Sequence, residues 1–475
     1  MKTLLTASII ALLIAAACTN KSQPTVMENQ YPKVIKTKAD SFYVTGYNWR
    51  QPFGFAIGEN DTVSPGTDGY RGGYLQLITQ EDTIQFDYTS TPYQQHHTIS
   101  VISPQDTTLC ILRFNQHNAE FTDSYMQEHE GKAQFVIPEA FELANIVWTI
   151  SPSGMKASNL HKEGKYYQDV MEYFQPFLDH PIFTKLQFAD SAYYQNYYSF
   201  RENSVCFNFQ GDSLLYSGPY YHVFGNFDQF GGLFKELQPL VEDFAIKSNF
   251  RQFYQAHLPY YDKLIERQKQ LMPVEDMWAW IESEFPAKIN AYKVVFSPLI
   301  GATHSTQKFY FMGKRTDWFS EALMFTSGPE LIDSKSTLDE KEKEGLSSGI
   351  VFTEIDHNYV NPVSYKYKGE IDKVFSNRTL WTKRGGDTDH YTTPESVFNE
   401  YMTHALFCLY VQERYDRDPA NYIIKSREDL MTNRRHYIRF AEFNKKLAEL
   451  YRSKAEKENI PDLYPKMIEW ASNVK

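Results

Sequence analysis

The period of the hydrophobic pattern changes near residue 140. From about 36 to 137, short apolar runs (FGFAIG, GYLQLIT, TIQFDY, TISVIS, TTLCILRF and AQFVI) are separated by polar residues or Gly and Pro. Such punctuation predicts strands of an antiparallel sheet or sandwich. From Pro138 onward, apolar residues recur at spacings of three and four in PEAFELANIVWTI, in YYQDVMEYFQPF and through residues 234–284, which predicts helices. NSVCFNF with SLLYSG, near 203–217, and YKVVFSPLIG at 292–301 interrupt the helical pattern, and the second has the β-branched and aromatic content of a strand. The segment 425–472 is charged and helical in pattern. The expected fold class is α+β, with a β-rich N-terminal module (36–137) followed by a mostly helical C-terminal domain (138–475).

The start of the chain changes this picture by adding an address. Lys2 precedes an apolar run over residues 4–17, too short to span a bilayer as a mature helix and of the length of a secretory signal. The run ends in Ala15-Ala16-Ala17-Cys18. Small residues followed by Cys resemble the lipobox of bacterial lipoproteins, and that resemblance implies cleavage before Cys18 and a diacylglycerol on its sulfur. On this reading 1–17 is a signal peptide and 18–35 a flexible tether. The protein is then expected in the cell envelope, held to the membrane by its lipid at the periplasmic face of the outer membrane or at the cell surface. The alternative is an ordinary cleaved signal with an incidental Cys.

A net charge of −11, with no Lys/Arg cluster beyond short scattered pairs, argues against a nucleic-acid partner. Beyond Cys18 the cysteines are Cys110, Cys206 and Cys408, an odd set whose spacing is not that of a zinc knuckle. Cys408, inside an apolar helical pattern, is expected to be a buried thiol. The DEKEKE run at 339–344 reads as solvated loop or helix surface. The 16% aromatic content suits core and sheet packing, and sugar-binding surfaces use the same residues.

Candidate chemistry is concentrated in TEIDH (353–357) and NEYMTH (399–404). Each places a carboxylate and an imidazole within one helical turn, so that both can point the same way. The first helix is predicted to start near Ser347-Ser348 and to stop before Asn361-Pro362. The second is predicted to start at Thr393-Pro394-Glu395, with Thr as cap and Pro in the first position. No G-x-S-x-G and no Gly-rich phosphate loop is present.

Together the two motifs resemble the paired helices of gluzincin zinc metallopeptidases, in which HExxH supplies two zinc ligands and a general base and a second helix supplies a glutamate. Glu354, His357 and Asn399-Glu400 match that pattern, whereas Thr353 stands where the first ligand belongs. His404 stands where the family often has an Asp that supports that ligand from behind. The resemblance therefore implies an exchange: zinc held by His357, Glu400 and His404, with Glu354 as base for a metal-bound water. Tyr359, His390 and Tyr391 are candidate oxyanion stabilisers. Residues 295–307 resemble the edge strand that holds an extended peptide substrate in gluzincins. The order of elements over about 138–470 also looks like an uncharacterised family of bacterial lipoproteins defined only by a domain of unknown function.

Two other readings use the same residues: intrahelical Glu–His pairs with Tyr359 and Tyr401 as polar core, and a carboxylate-bridged dinuclear centre. The expected function is a lipid-anchored, zinc-dependent hydrolase acting on peptides or proteins. The alternative is a non-catalytic surface binding lipoprotein built on a degenerate metallopeptidase fold.

Overall fold

The computed structural model describes the backbone of seven strands between residues 34 and 113, and residues 119–474 apart from 221–231, 302 and 312–318. The predicted signal peptide, Cys18 and nearly all of the tether lie outside the described residues.

The N-terminal strands fall almost wholly in one compact unit, and the described residues from Ala119 onward belong to a second. In the first, β1 (Val34–Lys36) pairs in parallel with β6 (His96–Ile102), which pairs antiparallel with β7 (Thr107–Arg113). A second sheet has the order β3 (Arg50–Gly54), β2 (Ser41–Thr45), β4 (Tyr74–Ile78), β5 (Thr83–Asp87). The apolar runs did mark strands here, though FGFAIG contributes only through Gly54.

The second unit is mostly helical, as its period predicts, and wraps a four-stranded mixed sheet of order β12 (Ser305–Phe311), β13 (Phe319–Ser327), β11 (Ala291–Ser297), β8 (Ala133–Val136). The run AQFVI therefore pairs with the strand from YKVVFSPLIG rather than with the N-terminal strands. β11 lies parallel to both of its neighbours, and every residue of β13 is buried. Such a strand needs helices on both faces. On one face Phe325 meets Phe141; on the other Tyr292 meets Trp278 and hydrogen-bonds Tyr359. β12 is one edge of the sheet, antiparallel to β13, and β8 is the other. β12 begins at Ser305, so the edge expected at 295–307 lies mostly further along the chain. The hairpin β9 (Phe207–Gln210) and β10 (Ser213–Tyr216) lies apart from this sheet.

Two long helices carry the sequence motifs. The first site helix, Glu340–Lys366, starts earlier and ends later than its pattern predicts. Asp339 and Glu342 form a capping box, so the charged run opens the helix instead of preceding it. Pro362 sits inside the helix. An interior proline costs roughly 3 kcal/mol, and the buried side chains of Val360 and Val363 on either side of it offset that cost. The second site helix, Pro394–Arg414, begins as predicted, with the Thr393 hydroxyl accepting the Ser396 N–H at 3.1 Å. Phe352 of the first helix packs on Phe407 and Tyr410 of the second, which brings the two motifs face to face. Cys206 and Cys408 are buried. Among the described residues, no helix is long and apolar enough to cross a membrane.

Candidate functional site

The facing helices do bring His357, Glu400 and His404 together. Oε1 of Glu400 lies 3.4 Å from Nε2 of His357, and Oε2 lies 3.6 Å from Nε2 of His404. Glu400 and His404 are buried, while His357 and Glu354 are half-buried. Thr353 turns away: its hydroxyl donates to the carbonyls of Gly349 and Ile350 in its own helix.

Two arginines that sequence reasoning did not single out complete the cluster. Nη2 of Arg435 donates to Oε2 of Glu400 at 2.8 Å and to the Tyr391 hydroxyl at 3.1 Å, and its Nη1 lies against Nε2 of His404. From the other side, Nη1 of Arg427 donates to Nδ1 of His404 at 2.9 Å while its guanidinium lies over the Phe407 ring. A Cβ on Gly349 would stand 1.8 Å from Arg427 Nη2, so only glycine leaves room for this approach. Arg435 is delivered by unusual backbone: a π-helical turn, Leu430–Arg434, precedes it, and His436 after it has φ +64°. Both features are uncommon and recur at functional sites. In sequence their only trace is the run Arg434-Arg435-His436, distant from either motif.

Electrostatics follow from this packing. Burial opposes the charge of Glu400, but the Arg435 guanidinium and the neighbouring His404 and His357 hold its carboxyl well below the usual range. Burial and the two guanidiniums, against the pull of Glu400, bring His404 down to about 3, so its imidazole is neutral. Burial first, then the charge of Glu400, pushes Glu354 up to about 8. Asp356, fully buried beside them, is raised well above the carboxylate range by burial and by Glu400 and Glu354, and neither of its oxygens has a side-chain hydrogen-bond partner among the described residues. A lone buried acid of this kind is stable when it keeps its proton.

Of the proposed oxyanion stabilisers whose side chains are described, Tyr391 is placed at the cluster and Tyr359 is not. Tyr359 is fully buried on the sheet side of its helix, donating to Glu282 at 2.9 Å. His390 closes a single 3-10 turn, Asp387–His390, and its side chain lies outside the described residues. Tyr401 is core, donating to the Trp381 carbonyl at 2.6 Å.

The donor set does not fit zinc as it stands. A metal-binding imidazole normally donates its second N–H to an acceptor; Nδ1 of His404 faces a guanidinium donor instead. A neutral imidazole has one lone pair. Both ring nitrogens of His404 face guanidinium donors, Nδ1 that of Arg427 and Nε2 that of Arg435, so that lone pair is engaged by a cation whichever nitrogen carries it. The remaining position between Glu400 and His404 is filled by the guanidinium of Arg435. His357 alone is oriented as a ligand would be, with Nδ1 3.4 Å from Oδ1 of Asn361.

No protein-family model, curated protein or solved structure matches the chain.

Proposed function

We propose that the protein is a lipid-anchored envelope protein whose helical domain is a peptidase-like scaffold used for binding. The observation that carries this reading is Arg435, a fixed cation bonded to Glu400 and lying against His404 where a hydrolytic metal would be needed. A guanidinium can neutralise Glu400, but it cannot generate a hydroxide from water as an open-coordinated metal does. The bound segment is an extended peptide: β12 is an edge strand beside the first site helix, and edge strands bind extended chains through their main-chain groups. The Cys18 lipid, with the tether behind it, would hold the domain at a membrane surface.

The test is titration calorimetry of the full chain with short extended peptides, followed by mass spectrometry of the mixture with and without added zinc. Peptide that is bound and recovered intact supports the reading. Peptide cleaved in a zinc-dependent manner overturns it and restores the hydrolase, with Glu354 as its base.

A further inference from the structure

β12 pairs with β13 alone, and a strand with one neighbour opens more easily than a central one unless something else holds it. Here a helix does. Ser305 and Gln307 alternate along β12 and so point to the same face of the sheet. Both reach the helix Tyr193–Asn203. Glu202 of that helix, 3% exposed, accepts from the Ser305 hydroxyl with Oε1 and from Nε2 of Gln307 at 3.1 Å with Oε2. Just before the strand, Oγ1 of Thr303 is hydrogen-bonded to the Tyr197 hydroxyl of the same helix. The helix is itself rooted in the core. Arg201, buried beside Glu202, donates from Nε to Oδ1 of Asn145 at 2.7 Å, and its guanidinium carbon lies 4.0 Å from the centre of the Tyr197 ring. Asn145 belongs to the helix Glu139–Ile150, which packs on the sheet where Phe141 meets Phe325.

We propose that Glu202 is a positioning residue for peptide binding: by holding Ser305 and Gln307 it keeps the start of β12 extended, with its outer main-chain groups set to pair with a bound peptide. Hydrogen bonds to a carboxylate are roughly twice as strong as those between neutral groups, and here one carboxylate restrains the strand at two points. The clamp acts on side chains and leaves the main chain of the outer rim free for a ligand. A site that binds only when ordered has its affinity reduced by the fraction of time it is ordered. An edge fixed in advance spares the peptide the cost of ordering it. Thr306 and Phe309 are buried, and Ser305 and Gln307 are committed to Glu202, so at these four positions the edge presents main chain to a partner.

This inference rests on the peptide-binding reading, and one experiment separates the two. N-acetylated tetra-alanine amide is titrated calorimetrically into the full chain, and amide hydrogen exchange is followed residue by residue. Glu202→Ala should weaken binding on the order of tenfold, the effect of leaving β12 ordered about a tenth of the time. It should also speed exchange in β12 while β8 and β11 stay protected. Glu202→Gln, which keeps one acceptor oxygen, should fall between wild type and Glu202→Ala. Ser305→Ala removes one contact from the strand side and should weaken binding in the same direction, so the test holds even if Glu202→Ala does not fold. Faster exchange in β12 with unchanged peptide affinity overturns the positioning role. Protection lost evenly across the whole sheet also overturns it, because that marks a general structural role. Absence of binding by the wild type overturns the peptide reading, and the positioning role with it.

Discussion

Arg435 and Glu400 are 35 residues apart in sequence and joined at 2.8 Å, with the Glu400 side chain 4% exposed and that of Arg435 15% exposed. Removing one member of a buried pair leaves the other charged without a partner, at a cost of about 3–5 kcal/mol. Arg435→Met should therefore lower the denaturant midpoint strongly. Adding Glu400→Gln should recover much of that loss, since the double variant leaves no lone charge. Equal loss in the single and double variants would mean that Arg435 matters for packing rather than charge.

Gly349 is the clearance for Arg427. Gly349→Ala drives a Cβ into the guanidinium, and overpacking of this kind costs about 1–3 kcal/mol. The Phe407 ring lies 2.8 Å from the same Cβ, so the Arg427→Leu background should remove only the guanidinium's share of that penalty, a coupling that a double-mutant cycle on thermal stability would read directly.

Buried Glu142, accepting from Tyr166 at 2.7 Å, is raised to about 7, by burial first. A carboxyl whose folded-state pKa is raised binds its proton more tightly in the folded state. Its stabilising contribution is full below the ordinary glutamate value and is lost as pH rises to about 7. Glu142→Gln should remove a decline on the order of 3 kcal/mol across that window. An unchanged pH–stability curve in the variant would count against it.

The lipid anchor is tested by processing. Wild-type protein should partition into detergent, and Cys18→Ala should accumulate unprocessed or enter the aqueous phase, because stable attachment requires the acyl chains. A wild-type protein recovered unmodified in the aqueous phase would remove the anchor.

Much of the architecture was legible because it is written in local pattern. Thr393-Pro394 announced the start of the second site helix, and the switch from period two to period 3.6 separated the strand-rich and helical parts. The resemblance of TEIDH and NEYMTH to the paired gluzincin helices anticipated that His357, Glu400 and His404 would meet. The first site helix was misjudged at both ends, because tertiary burial around Pro362 and a capping box within a charged run outweigh local propensity. Arg427 and Arg435 were invisible for a different reason. Arg435 reaches the cluster through a π turn and a left-handed His436, neither of which has a sequence period, and Arg427 comes from a helix outside both motifs. Tyr359 was placed near the site by sequence proximity, yet its position on the helix turns it to the sheet.

The central claim is that a guanidinium occupies the centre of this site in place of a metal. The most direct measurement is elemental analysis of the purified full-length protein after expression in zinc-containing medium, in wild type and in His357→Ala. The account predicts zinc far below one ion per chain in both, with no difference between them. About one zinc per wild-type chain, lost in His357→Ala, would contradict it.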